Sequence, residues 1–123
     1  QVSYQGMLKT SVIGCLTAVY DTQFFGKVAM PLTRKRQDFG LWLQLLKRID
    51  FARGIPDVLA LYRVSPGSMS ANKLDAARYT WNIYRNVEGF GLWRSFYYFL
   101  NYASRGFLRS KFPRLARKLN VLD

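Results

Sequence analysis

The sequence contains no histidine and a single cysteine, Cys15, so two common kinds of catalytic site cannot be built from this chain. A Ser–His or Cys–His pair needs an imidazole as its base, and a protein-built zinc site needs several His or Cys ligands. Acid–base chemistry must therefore come from carboxylates, supported by Arg, Lys, hydroxyl or backbone groups. The chain offers only 7 Asp and Glu residues for this task.

Asp38 is the carboxylate with the most informative surroundings. It precedes Leu41 and Trp42 by three and four residues, so the three side chains share one face of the helix predicted here. Two roles of Asp38 are compatible with this position. It could cap the N-terminus of the helix, where Asp is a preferred residue, or it could line the wall of a pocket. A helix N-terminus beside the basic residues 34–36 favours the ionised carboxylate, which is the form that a general base needs.

One ionised carboxylate suits inverting sugar transfer. This reaction is an in-line displacement at the anomeric carbon, and a single base takes the proton of the acceptor hydroxyl as its oxygen attacks. A glycosidase would need two facing carboxylates, one of them with a raised pKa. No second carboxylate in the sequence has a setting comparable to that of Asp38.

Two short apolar runs, residues 11–20 and 58–64, predict buried β-strands, and Cys15 in the first run is expected to fill the core. Two strands are too few for a stable sheet. Since the chain also starts at Gln1 without an initiator Met, we expect it to be the C-terminal part of a longer protein that supplies the other strands. Such a part is expected to expose apolar surface and to self-associate.

Helices are predicted around these runs. A helical turn is expected at residues 4–9, and apolar side chains within 41–49 recur at helical spacing. Residues 21–36 are expected to be irregular, and the chain from about Asn72 onward is expected to be helical. Glycine and proline predict interruptions of that last region at 89–91, Gly106 and Pro113.

The residues around Asp38, Arg-Lys-Arg-Gln-Asp-Phe-Gly-Leu-Trp-Leu (34–43), resemble the Glu-Asp-x-x-Leu-Trp motif of family 2 glycosyltransferases, whose Asp is the acceptor-side base. Three further stretches agree with that family in order and spacing. Residues 13–21 resemble the strand before the motif, 59–64 the returning strand, and 68–73 the segment near the nucleotide diphosphate. The resemblance is closest to bacterial polysaccharide and lipopolysaccharide glycosyltransferases.

The resemblance implies an α/β fold, in which residues 1–74 form the C-terminal, acceptor-side portion of a GT-A (nucleotide-diphospho-sugar transferase) domain and 75–123 form a largely helical tail. The implied enzyme transfers a sugar with inversion from a nucleotide-sugar donor to a lipid-linked or polysaccharide acceptor. It would act in the cytoplasm at the inner face of the cell membrane. The donor-binding βαβ units and the Asp-x-Asp metal motif are absent from the sequence, so Mn or Mg is expected in the full-length enzyme and no metal in this portion, which alone is expected to be inactive.

Two positions depart from the family pattern. Gln37 replaces the usual Glu, and Ser65 stands where many relatives carry a His that helps to bind metal or diphosphate. The side chains expected near the acceptor or the diphosphate are Arg36, Gln37, Trp42, Arg63, Ser68 and Lys73. Structural alternatives remain for several of them, because Trp42 also suits the core, Arg63 an ion pair, and Ser68 and Lys73 a turn that starts a helix.

The charge balance predicts an anionic partner, since 19 Lys and Arg residues oppose 7 Asp and Glu, for a formal net charge of +12. Residues 89–122 carry basic and aromatic side chains and no acidic ones, which is typical of a helix lying on an anionic membrane. The apolar residues at helical spacing there are Leu108, Phe112, Leu115 and Leu119. The structural alternative is a helix packed on the catalytic domain with a solvated basic face.

The alternative function is a basic helical module that binds anionic membrane or nucleic acid without catalysis. Nucleic acid is disfavoured, because the basic residues form no recognisable reading motif. The sequence has no apolar stretch long enough to span a membrane.

Overall fold

The computed structural model describes residues 1–63 and 72–112, and its regular elements are helices. In chain order these are α1 (Tyr4–Lys9), α2 (Thr22–Phe25), α3 (Gln37–Leu46), α4 (Lys73–Asn82) with a π-helical continuation (Ile83–Val87), and α5 (Leu92–Lys111).

The two predicted strands are not formed in the described part of the chain. Residues 11–20 and 58–63 have no regular structure, and residue 64 lies outside the described residues. An isolated antiparallel bridge joins Val2 to Ala52. A strand satisfies its backbone N–H and C=O groups by pairing with a neighbour, and neither apolar run has one here. The expected α/β fold is therefore not confirmed.

The prediction that Cys15 fills the core is also wrong, because its side chain is exposed. The irregular path of residues 11–20 is the reason, since buried packing of a short run needs an ordered partner on each face.

Helix α3 confirms the predicted amphipathic helix and forms the centre of the core. Its buried apolar side chains are Phe39, Leu41, Trp42, Leu43, Leu45 and Leu46. Gly40 allows the preceding loop to approach this helix, because a Cβ atom at position 40 would lie 2.5 Å from Cγ of Pro31. Only glycine tolerates so close a contact without a shift of the loop.

The other helices pack on α3 and on one another. Met7 and Leu8 of α1, Ile83 and Tyr84 of the π-helical segment, and Tyr98 of α5 are buried with it. The Tyr84 hydroxyl donates to the carbonyl oxygen of Leu8 at 2.6 Å, and this bond fixes α1 against the end of α4.

The predicted helical region after Asn72 is confirmed within the described residues. Asn72 is the N-cap of α4, and its side chain accepts from the backbone N–H groups of Leu74 and Asp75. The break at 89–91 is also present, with Gly89 in the left-handed region at φ 67°. The break expected at Gly106 is wrong, because α5 continues through it, and a glycine costs a helix only about 1 kcal/mol.

Helix α5 ends at Lys111, just before Phe112 and the proline that follows it in the sequence. This fits the expected break at Pro113, since the residue before a proline avoids the helical region.

Candidate functional site

A cavity of about 740 Å³ lies between the start of α3, the helix α4 and the C-terminal half of α5. We call it the basic cavity, because the charged side chains that line it are, among residues 1–63 and 72–112, cations apart from one carboxylate. The cations are Arg34, Lys35, Arg36, Lys73, Arg109 and Lys111. Asp38 is the carboxylate. So strong an excess of positive charge around a concave surface attracts anions, phosphate groups above all.

Asp38 lies on the wall of this cavity and is the second residue of α3, not its N-cap. Its Oδ1 accepts a hydrogen bond from the backbone N–H of Phe39 at 2.8 Å. In the described part of the chain no group donates to the other carboxylate oxygen, Oδ2. The half-buried carboxylate therefore has one oxygen held by the helix and one without a hydrogen-bond donor among the described residues.

Arg36 is the N-cap residue of α3 and has a left-handed backbone, at φ 65° and ψ 24°. Its Nε donates to Oγ1 of the buried Thr80 at 3.2 Å, and its Nη2 donates to the Tyr102 hydroxyl. Its guanidinium also lies over the rings of Phe39 and Tyr102, at 5.5 and 5.3 Å from the ring centroids. Arg36 thus ties the start of α3 to α4 and α5 through hydrogen bonds from Nε and Nη2.

Two of the lysines are engaged in a similar way. Nζ of Lys35 lies 2.7 Å from Oδ2 of Asp75, and the hydrogen bond from Lys35, followed by its charge, lowers the pKa of the Asp75 carboxyl. Nζ of Lys73 donates to Oγ of Ser110 at 2.7 Å, which joins α4 to the end of α5.

The three remaining cations, Arg34, Arg109 and Lys111, form no ion pair with any residue that the structure describes. The basic cavity therefore combines cations that hold its walls together with cations whose charge is not neutralised. The second group is what an anionic ligand would meet.

The predicted site residues are only partly brought together. Arg36, Gln37, Asp38 and Lys73 line the basic cavity. Gln37 is exposed, and its Nε2 donates to the carbonyl oxygen of Thr33 at 2.6 Å. Arg63 is exposed and is not among the lining residues, and Ser68 lies outside the described residues.

Trp42 lies in the core and is only 6% exposed, so its position fits the alternative of a core residue and not a side chain placed against an acceptor sugar. It lines a second cavity, of about 760 Å³, between residues 12–21, helix α3 and residues 52–60. We call this the apolar groove, and both predicted strands contribute to it. The indole Nε1 of Trp42 is buried without a hydrogen-bond partner among the described residues.

Arg109 and Lys111 are site residues that the sequence pattern does not single out. They lie far along the chain from Asp38, and only the packing of α5 against α4 brings them to the basic cavity. In the sequence these two residues are noticeable only as part of a basic tail without acidic residues. That pattern indicates contact with a membrane and does not predict that they line the same cavity as Asp38.

The described residues, 1–63 and 72–112, contain no group of three or more Cys, Asp or Glu side chains that could hold a metal ion. A divalent cation also does not fit the basic cavity, because one carboxylate cannot offset six surrounding cations. Within the same residues, no helix has the length and apolarity that crossing a membrane requires.

Known proteins resemble this chain over most of its length. It is 40% identical over 102 residues to a protein named as a teichuronic acid biosynthesis glycosyltransferase, TuaG, of Bacillus subtilis, a match that covers 83% of this chain and 40% of the relative. It is 32% identical over 113 residues to the UDP-Glc:alpha-D-GlcNAc-diphosphoundecaprenol beta-1,3-glucosyltransferase WfgD of Escherichia coli, covering 91% of this chain and 44% of the relative. No protein-family model matches the chain, and no solved structure matches it.

The chain is therefore a homologue of bacterial glycosyltransferases, and more particularly of glycosyltransferases named for polysaccharide and lipid-linked sugar synthesis. The resemblance drawn from the sequence is confirmed at this level. The chain spans less than half the length of the curated relatives it matches.

Proposed function

We propose that this chain is the acceptor-side portion of an inverting glycosyltransferase of the GT-A type, with Asp38 as its general base. The intact enzyme would transfer a sugar from a nucleotide-sugar donor to a lipid-linked or polysaccharide acceptor, at the inner face of the cell membrane. The observation that supports the proposal is the place of Asp38, the one carboxylate on the wall of a basic cavity, in a chain homologous to glycosyltransferases.

The surroundings of Asp38 suit a base. It lies in the first turn of α3 and shares the basic cavity with the cations that line it. The hydrogen bond from Phe39 N–H holds Oδ1, and no described residue donates to Oδ2. As the acceptor hydroxyl oxygen attacks the anomeric carbon, Oδ2 would take its proton, and the bond from that carbon to the nucleoside diphosphate would break.

The basic cavity also suits the phosphate groups of a lipid-linked acceptor. Relatives of this chain are named for acceptors that carry a diphosphoundecaprenol group. Arg34, Arg109 and Lys111 supply charge that no described residue neutralises, while Met30 and Phe107 give the same cavity an apolar wall. Cations beside apolar surface match a diphosphate attached to a hydrocarbon chain.

The nucleotide-sugar and the Mn or Mg ion expected with it would be bound by the part of the enzyme that corresponds to the uncovered length of its relatives. The described residues offer no suitable ligand set for that ion, so no step of the proposed chemistry in this chain runs through it.

The test is Asp38→Asn in the intact protein, assayed with UDP-glucose and a GlcNAc-diphospho-lipid acceptor. Asparagine keeps the size of the side chain and can still accept from Phe39 N–H, but it does not take a proton. We expect kcat to fall about 10²–10⁴-fold while binding of the nucleotide-sugar is unchanged. The matched control is Asp50→Asn, an exposed carboxylate outside the cavity, which should keep full activity. An Asp38→Asn enzyme within a few-fold of wild type would reject Asp38 as the base.

A further inference from the structure

Helix α5 has two faces of different character. Ser95 and Tyr98 are buried against the rest of the chain, and Tyr102 bonds to Arg36 on the same inner face. The opposite face exposes large apolar side chains spaced three, four or seven residues apart. This outer face, the aromatic stripe, consists of Trp93, Phe96, Tyr97, Leu100 and Phe107.

The exposure of the aromatic stripe is high for residues of this kind. Trp93 is 84% exposed, and each of the other members is about half exposed or more, between 48% and 58%. A contiguous apolar face of this size on a helix marks a surface that contacts something else.

The charge along α5 indicates what that partner is. The helix has no acidic residue and carries four cations, Arg94, Arg105, Arg109 and Lys111. By helical spacing Lys111 lies in line with the aromatic stripe at its C-terminal end, and Arg94 borders Tyr97 near its N-terminal end. Arg105 and Arg109 lie on the inner side, seven residues after Tyr98 and Tyr102. An apolar face with a cation at each end, on a helix without acidic residues, complements a surface that is negative outside and apolar beneath, which is the profile of an anionic bilayer.

We propose that the aromatic stripe is the docking surface of this protein for an anionic lipid bilayer, with α5 lying in the plane of the interface. Trp and Tyr are suited to the boundary between the lipid headgroups and the hydrocarbon, because one end of each ring is apolar and the other is polar. A helix of 20 residues would offer about 30 Å of contact along the membrane.

The docked orientation would bring the basic cavity to the lipid surface. Phe107 belongs both to the aromatic stripe and to the cavity lining, and Arg109 and Lys111 follow it at the same end of α5. The cavity would then open at the depth where lipid phosphates lie. This last step rests on the proposed function, since it assumes a lipid-linked acceptor, whereas membrane docking itself does not.

The experiment compares vesicle binding of two variants of the intact protein. The stripe variant combines Trp93→Ser, Phe96→Ser and Leu100→Ser. The control variant combines Leu32→Ser and Leu74→Ser, which alter apolar side chains outside α5 that are at least as exposed. Co-sedimentation is measured with phosphatidylglycerol vesicles and with phosphatidylcholine vesicles, at low and high salt. We expect binding to phosphatidylglycerol to weaken at least about tenfold in the stripe variant and less than about twofold in the control.

A second measurement reports on insertion directly. Brominated lipids should quench the fluorescence of Trp93, and the quenching should be lost in Trp93→Phe. Of the two other tryptophans, Trp42 is buried in the core and Trp81 is partly buried with its ring against Phe99. A thermal melt that matches wild type would show that the stripe variant is folded.

Three results would overturn the inference. Equal vesicle binding by the stripe and control variants would place the membrane contact elsewhere. Absence of quenching in bound wild-type protein would show that another part of the protein covers the stripe. Dissociation of a dimer by the stripe variant, with vesicle binding unchanged, would assign the stripe to a second copy.

Asp38→Asn separates this inference from the proposed function. It should bind vesicles as wild type does, so a failure of Asp38 as the base would leave the docking result standing, and the reverse also holds.

Discussion

The basic cavity and the apolar groove are almost equal in volume, at about 740 and 760 Å³, but they are built in different ways. Helices form the walls of the basic cavity, and side-chain hydrogen bonds from Arg36 and Lys73 hold those helices together. The apolar groove has α3 on one side and irregular segments on the other.

The difference lies in how polar groups and apolar surface are distributed. Several cations that line the basic cavity are bonded to described residues, while Arg34, Arg109 and Lys111 form no ion pair with them, as expected of a site for an anionic ligand. The apolar groove instead presents exposed aliphatic side chains, and the buried Nε1 of Trp42 beside it has no hydrogen-bond partner among the described residues. Such a surface gains stability when more protein covers it.

Replacing Arg36 should have the largest effect on stability. The comparison with Arg34 tests whether some cations of the basic cavity stabilise the fold while others bind a ligand. Arg36→Ala removes hydrogen bonds to Thr80 and Tyr102 and contacts with two rings, so we expect the free energy of unfolding in urea to fall by about 2–3 kcal/mol. Arg34→Ala is the matched control, because Arg34 is exposed and has no ion-pair partner among the described residues. It should change stability by less than about 0.5 kcal/mol and should raise KM for the diphosphate acceptor instead. Equal loss of stability in both variants would contradict the division of roles.

A smaller effect is expected from a charge in the apolar groove. Residues 1–123 alone should self-associate through this surface, and Leu59→Asp, which lines it, should weaken the association at least about tenfold. Leu61→Asp is the neighbouring control, because Leu61 is exposed outside the groove lining. Sedimentation velocity measures both. A monomer in the unmodified chain, or equal effects of the two substitutions, would show that the groove is not an association surface.

The smallest effect on stability is expected from the ion pair in which Lys35, a residue that lines the basic cavity, lowers the pKa of Asp75. A lowered carboxyl pKa contributes stability above the ordinary pKa of Asp, and that contribution is lost as the pH falls through the folded-state value. Because the carboxylate is solvent-exposed, the change in stability should be slight. Lys35→Ala should move the pKa of Asp75 upward, toward its ordinary value, in a carboxyl titration followed by NMR. An unchanged pKa would show that Lys35 does not hold this carboxylate in solution.

Local patterns in the sequence predicted the helices well. The apolar spacing of 41–49, the start of a helical region at about Asn72 and the glycines at 89–91 each depend on a few neighbouring residues, so their effects can be read without knowledge of the fold. There are two exceptions. Helix α2 (Thr22–Phe25) lies within residues 21–36, a stretch expected to be irregular, and the side chain of Asp21 caps it. Helix α5 continues through Gly106, because the cost of one glycine is small beside the packing of a long helix.

The predicted strands failed for the converse reason. Residues 11–20 and 58–63 have the composition of buried strands, but a strand exists only with a neighbour that pairs with its backbone. Composition records the preference of a segment and contains no information on whether the partner strand is present.

The sequence by itself determined the chemistry open to this protein. The absence of histidine, the place of Asp38 before an amphipathic helix and the acid-free tail select carboxylate chemistry with anionic partners. Tertiary structure decided which residues share a site. It brought Arg109 and Lys111 to Asp38, buried Trp42 and left the aromatic stripe outside, because contacts between distant segments depend on how helices pack and not on the spacing of residues along the chain.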